Sequence, residues 1–285
     1  MKFKEKLKSK KFITTAELFP PKGTDISSFL QRAECLKDLD AVNVTDNQRA
    51  SMRVGSVAMC KKLLDMGIEP IMQITARDRN RISLQSELLS ASVLGIENVL
   101  VISGDHPDCG EYKGTKTVYD LDTIQLIKTA RLLETGVDLA GKKLLGSPKF
   151  CAGAVVNPAC VPQELQVLML QKKIAAGAEF FQTQTIFDVN LYRDFFKKVK
   201  RPDMKILPGV TVIKSVKFMQ FLQSLPGVFI PQEIQDRINS AKDPFAEGKK
   251  ICAETIKVLR EFADGVHVMA IGMEEHIPEI LKDSL

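Results

Sequence analysis

Eight times along this chain a short apolar or β-branched run stops at a polar or turn-forming residue and gives way to helical periodicity. The runs fall at 12–17, 41–46, 70–75, 98–103, 150–156, 180–185, 205–212 and 265–271. Helical patterns follow at 26–36, 54–66, 81–94, 121–134, 162–176, 188–198 and 215–225. Two further helical patterns, 231–240 and 244–262, precede the eighth run, and a last one starts at 277. Strands separated by helices pair in parallel through right-handed crossovers. Eight such units in 285 residues, with no low-complexity linker, predict one closed (β/α)8 TIM barrel over 1–285 with extra helices before strand eight. A doubly wound open sheet is the alternative architecture.

Composition narrows the function classes. Hydrophobic residues at 45% and charged residues at 26% suit a globular protein with a sizeable core. A net charge of +5 suits an anionic ligand and argues against nucleic acid as the partner. Basic residues gather at 2–11, read as a solvated N-terminal helix. The six cysteines have no Cys-x-x-Cys spacing and read as reduced thiols, mostly core filler. No apolar run reaches membrane-spanning length and the start lacks a signal-peptide pattern, so a cytoplasmic protein is expected.

In a barrel all eight carboxyl strand ends meet on one face, where sites are built. There the sequence puts Glu17, Thr45 with Asp46, Gln73 with Thr75, Asp105, Asn157, Gln182 with Gln184, and His267. Asp105 follows its strand at once, in the turn Ser103-Gly-Asp-His-Pro107, where it either caps the turn or serves a site. A structural role for the acids would pair them with Arg77 and Arg79. No Gly-x-Ser-x-Gly elbow, Gly-x-Gly-x-x-Gly fingerprint or metal-ligand spacing occurs. Of the three histidines, His106 lies in the turn, while His267 and His276 read as satisfied structural residues. What remains is acids, amides and cations, a kit for holding a planar heterocycle and moving protons beside it.

Those segments carry a family resemblance. Ala16-Glu-Leu-Phe-Pro-Pro21, Val44-Thr45, Ser103-Gly-Asp-His-Pro107, Lys173-Ile-Ala-Ala-Gly-Ala178, Gln182-Thr-Gln-Thr-Ile-Phe-Asp188 and Pro208-Gly-Val210 stand in the order found in methylenetetrahydrofolate reductases. The resemblance implies a flavin-bearing barrel, with FAD or FMN, that reduces methylenetetrahydrofolate to methyltetrahydrofolate. It implies Glu17 as the acid of folate reduction and Asp105 as a residue tuning the flavin and holding the folate. Gln184 would touch substrate, and Thr45, Gln73 and Lys173 would join Asp105 in contacting the cofactor. Gln73 stands where bacterial members have histidine, Asn157 where a tyrosine is common, and Val216 where NADH users have phenylalanine, with Phe218 or Phe221 as possible substitutes. Strand eight lacks the family's aromatic and arginine. These departures favour a short form, an oligomer, that takes electrons from NADH or from an electron-transfer partner subunit. Two other readings stand beside this: a binding subunit whose turnover needs that partner, and a flavin-free aldolase-like lyase, which would need a strand-end lysine.

Overall fold

The computed structural model describes residues 1–9 and 12–284. Eight parallel strands close in sequence order, β1 pairing with both β2 and β8. They are β1 (Ile13–Leu18), β2 (Ala41–Val44), β3 (Pro70–Thr75), β4 (Asn98–Ile102), β5 (Cys151–Val156), β6 (Phe180–Thr185), β7 (Lys205–Thr211) and β8 (Gly265–Met269). The barrel expected from the alternation is present and the open sheet is not. After α1 (Phe3–Lys8), the helices between strands are α2 (Ser27–Glu34), α3 (Ser56–Asp65), α4 (Arg81–Val93), α5 (Thr123–Glu134), α6 (Gln163–Ala175), α7 (Val189–Val199) and α8 (Val216–Gln223). The two additional helices before strand eight are α9 (Gln232–Ser240) and α10 (Pro244–Leu259), and α11 (Ile277–Ser284) follows it.

Strand alternation divides the side chains between two cores. Residues such as Ala16, Val42, Met72, Val99, Ala152 and Val266 face outward and form one cluster with the helices. Ile13, Ile71, Leu100, Cys151, Phe180 and Leu207 point inward and form a separate apolar floor. The N-terminal basic helix is not simply solvated, as its lysines suggested. Phe3 and Leu7, spaced one turn apart, plug that floor, Phe3 meeting Phe180 edge-on at 5.2 Å, while Lys4 and Lys6, half-buried, pair with Glu179 and Asp40. The basic run continues into Lys10 and Lys11, which lie outside the described residues. Gly153 is required beside this plug, because a Cβ there would sit 2.3 Å from the Phe180 ring. Of the six cysteines only Cys60, Cys151 and Cys252 are buried; Cys35 and Cys109 are exposed and Cys160 is intermediate. Among the described residues no helix is long and apolar enough to cross a membrane.

Candidate active site at the carboxyl face of the barrel

Above the floor the interior turns polar. On β1, alternation that sends Ile13 into the floor also sends Thr15 and Glu17 inward, one and two layers higher. A reciprocal amide pair spans the middle layer: Asn43 Nδ2 donates to Gln182 Oε1 at 2.6 Å and Gln182 Nε2 to Asn43 Oδ1 at 3.1 Å. The second Gln182 hydrogen lies between Thr15 Oγ1 and His267 Nδ1, both at 3.3 Å. Thr15 Oγ1 also lies 3.0 Å from His267 Nδ1. All four side chains are buried, so each polar atom needs such a partner. His267 is the satisfied interior histidine expected. Burial pushes its pKa down to about 3, leaving a neutral ring at neutral pH. The Gln182 amide nitrogen facing Nδ1 suits the tautomer protonated on Nε2, and Nε2 is 4.0 Å from Glu17 Oε2.

Glu17 stands on top of this layer with 16% of its side chain exposed. Among the described residues its one side-chain hydrogen bond is accepted from Gln73 Nε2, at 3.0 Å. Loss of water raises its pKa most; the Gln73 donor partly reverses this, and the charges of Glu274 and Asp105 raise it again, to about 7. The result is a carboxyl that holds a proton near neutrality and has a single neutral partner, the property required of a general acid.

The other carboxylates separate by role. Asp46 is structural: its Oδ2 accepts from Arg79 Nη1 at 2.6 Å, its Oδ1 from Arg79 Nη2 at 3.1 Å, and its Oδ2 from the Thr75 amide at 2.9 Å. The Thr75 hydroxyl donates to the same carboxylate. Arg79 thus partners one acid of the rim, as the structural alternative required, but among the described residues no lysine or arginine pairs with the Glu17 or Asp105 carboxylate. Arg77, buried, pairs with Asp78 and donates to the carbonyls of Asn47 (3.1 Å) and Asp105 (3.0 Å), tying the loops after β2, β3 and β4 together. Gly104 adopts φ +87°, and a Cβ there would approach Thr75 Cγ2 to 2.4 Å, so only glycine turns the chain here. That turn exposes Asp105, whose Oδ2 accepts the Arg49 amide at 2.9 Å. Arg49 belongs to a strap after β2 in which Asn47, Arg49 and Ala50 have φ of 46°, 54° and 50°. Left-handed non-glycine residues cost roughly 1–3 kcal/mol each and persist where surroundings hold them, here the Asp105 carboxylate and the Arg77 guanidinium.

The remaining expected residues have these positions. Thr45, buried, donates its hydroxyl to Gln48 Oε1 at 2.8 Å. Gln73 serves Glu17. Gln184, half-buried at the end of β6, accepts the Thr185 amide at 3.0 Å. Lys173 on α6 donates to the Val155 carbonyl at 2.7 Å, on the side of the barrel opposite β1. Asn157 is occupied in the turn after β5, accepting the Ala159 amide at 3.2 Å and donating to the Pro226 carbonyl at 3.4 Å. His106 is exposed and accepts the Asp108 amide; His276 packs edge-on against Phe245. Glu17, Gln73 and His267 are therefore brought together directly, and Asp105 acts on Glu17 through its charge. Asn43, Arg49 and Glu274 were absent from the residues expected at the site. Asn43 had a signal, a polar residue at an inward position of a short apolar strand; the other two had none.

The donor set accepts a flavin. Lys173 is largely removed from water, which lowers its pKa, and among the described residues it has a carbonyl partner but no carboxylate. An ammonium so placed has two hydrogens and a charge to offer a phosphate. Asp105, exposed at the mouth, offers an acceptor to the N–H groups of a pyrimidine edge. A Schiff-base lyase is poorly served: the one lysine within the described strands, Lys205, starts β7 at the barrel floor side and pairs with Asp264 at 3.2 Å.

The chain matches the family model described as methylenetetrahydrofolate reductase over residues 2–284. It is 24% identical over 283 residues to a Caenorhabditis elegans protein named "Probable methylenetetrahydrofolate reductase (NADPH)", covering 93% of this chain and 41% of that one. It is also 24% identical over 271 residues to the 5,10-methylenetetrahydrofolate reductase of Pectobacterium carotovorum, covering 91% of this chain and 85% of that one. The chain thus spans about two-fifths of the nematode relative and most of the bacterial one. Among solved structures, a Clostridium thermocellum protein described as binding two copies of 5-methyl-5,6,7,8-tetrahydrofolic acid superposes with a TM-score of 0.71 at 17% identity, over 99% of this chain and 98% of that one. The family match runs from one end of the barrel to the other, and the chain belongs to the methylenetetrahydrofolate reductase family, a family of oxidoreductases.

Proposed function

We propose that the chain reduces methylenetetrahydrofolate to methyltetrahydrofolate at the carboxyl face of its barrel, with a bound flavin, FAD or FMN. The observation that carries the reading is Glu17, a mostly buried carboxyl with a pKa of about 7 beside one amide and one neutral imidazole. A bound flavin supplies the hydride. Glu17 delivers a proton to the folate nitrogen as the one-carbon bridge opens, and the opened iminium carbon is the hydride acceptor. Gln73 fixes the acid's orientation by its single hydrogen bond. Asp105 holds the exchangeable N–H groups of the heterocycles, Gln184 contacts the substrate from β6, and Lys173 meets the cofactor phosphate. Thr45 contributes through Gln48 to the shape of the loop over the cofactor. The relatives named as reductases of this substrate and the folate-binding neighbour support the assignment.

The purified protein should be yellow. Lys173→Met should weaken flavin about 10- to 100-fold, the effect of one charge-assisted hydrogen bond, with helical content unchanged. Flavin extracted from the protein and separated chromatographically identifies FAD or FMN. A folded, colourless protein that takes up no flavin on reconstitution would overturn the reading.

The electron donor is inferred from Val216. It opens α8 and packs against the cluster of Phe187, Ile213 and Met219, with no π face to offer a nicotinamide. Loss of stacking costs about 0.5–1.5 kcal/mol, up to roughly tenfold in affinity. The isolated chain is therefore expected to be reduced slowly by NADH and to receive electrons from a partner subunit. Stopped-flow mixing with NADH checks this, and fast, saturable bleaching of the flavin without any partner refutes it.

A further inference from the structure

The chain leaves β8 through a strained turn. Ile271 and Gly272 have φ of 48° and 84°. A left-handed β-branched residue costs roughly 1–3 kcal/mol and persists only where its surroundings hold it. Lys214 Nζ donates to the Ile271 carbonyl at 3.1 Å, and Glu274 Oε1 accepts the Gly272 amide at 2.8 Å. Glu274 is fully buried, and its other oxygen accepts from Arg32 Nη1 at 3.3 Å. Arg32 sits on α2, the helix that follows β1, whereas the turn follows β8, the strand that pairs with β1 and sets Val268 beside Ala16. The ion pair therefore joins the two units on either side of the strand that carries Glu17. Replacing a buried ion pair by apolar packing is often neutral or stabilising, so stability alone does not account for a charge in this place.

We propose that Glu274 is a positioning residue for Glu17: held by Arg32 and the Gly272 amide, it presents a fixed negative charge to the acid and so sets the pH range over which Glu17 delivers its proton, an inference that rests on the reductase reading above. The other groups around Glu17 leave this part to Glu274. Asn43 on β2 and Gln73 on β3 are neutral amides, and His267 on β8 is a neutral ring. Asp46 after β2 is matched by Arg79, and Asp78 after β3 by Arg77. Asp105 after β4 is exposed, so water screens it. After burial itself, Glu274 is the largest influence keeping the proton on Glu17, ahead of Asp105. Each Glu274 oxygen already has a donor within the protein, so the residue acts on the acid through space and not on the substrate.

Two readouts on the holoprotein follow the same proton: infrared titration of the Glu17 carboxyl band, assigned by its loss in Glu17→Gln, and the pH profile of the folate half-reaction. In the wild type both should turn at about pH 7. Glu274→Gln keeps an acceptor for the Gly272 amide and removes the charge, so both midpoints should move down by about 0.5–1 pH unit, a modest effect for a neighbouring charge. Arg32→Gln leaves the carboxylate and removes its countercharge, so both midpoints should move up. Glu274→Asp keeps the charge and should return them toward the wild-type value. Opposite shifts mark a charge acting at a distance, since loosened packing would lower the maximal rate or the stability with the midpoints unmoved. Midpoints that stay at the wild-type value in whichever of the two glutamine variants folds, or that move the same way in both, overturn the proposal. The expected infrared shifts in a chain that does not reduce methylenetetrahydrofolate would uphold the action of Glu274 on Glu17 and overturn the reductase reading instead.

Discussion

Replacing Glu17 with glutamine is expected to slow folate reduction about 10²–10⁴-fold, the range lost with a general acid. The substitution keeps the acceptor that Gln73 uses at 3.0 Å and fills the same volume, so geometry survives and the transferable proton does not. Reduction of the flavin by its donor should proceed at the wild-type rate, since that half-reaction takes no proton from Glu17. Rapid mixing of reduced variant with substrate separates the halves, and a wild-type rate in the folate half would remove Glu17 from its role. The pH dependence has a definite sign. The folded pKa of about 7 lies above the ordinary 4.5, so the folded chain holds this proton more tightly than the unfolded one. Stability contributed by the proton is complete below about 4.5 and is lost as pH rises to about 7, on the order of 3 kcal/mol for a shift of this size. Folate reduction should decline as pH rises through about 7, where the acid ionises in the folded chain. In Glu17→Gln both the activity limb and that part of the stability loss should vanish together, which a purely structural glutamate would not link.

The fold was legible because the barrel is written in local pattern. Strand and helix patterns alternate along the chain, and some strands meet a residue that cannot continue them. Pro20 and Pro21 stop β1, and Gly104 turns the chain after β4 with φ +87°. The site was legible to the extent that it is built from strand ends. Glu17, Gln73 and His267 converge because alternation points them inward and register sets their heights. Arg49 and Glu274 act from loops, where no periodicity assigns a direction. Glu274 is fully buried, with Arg32 Nη1 3.3 Å from its carboxylate and the Gly272 amide 2.8 Å away, a position decided by tertiary packing alone. The plug role of α1 was hidden for a similar reason: its lysines dominate the composition, while two apolar residues one turn apart decide where it sits. Gln73 was expected to face cofactor, and its observed bond to Glu17 gives it a direct part in setting the acid.

Arg79→Met should destabilise the chain by about 3–5 kcal/mol, the cost of leaving a buried charge without its partner. Asp46 is 2% exposed and receives two guanidinium hydrogen bonds, an amide and a hydroxyl, so removing Arg79 strips its countercharge while the two weaker donors remain. Adding Asp46→Asn removes the orphaned charge and keeps an oxygen for the Thr75 amide, so the double variant should recover a large part of the loss. Urea unfolding of the two single variants and the double variant measures this coupling; additive losses would show that the pair does not act as a unit. The consequence reaches the site through one short path. Asp46 is followed directly by Asn47, the first left-handed residue of the strap, and its contacts to Thr75 and Arg79 fix where that strap leaves the barrel. With the anchor loosened, the left-handed residues lose the support that holds them, and the Arg49 amide leaves Asp105. Arg79→Met should therefore weaken folate binding under conditions where the variant is still folded, whereas a change confined to global stability would leave the affinity of the folded fraction at the wild-type value.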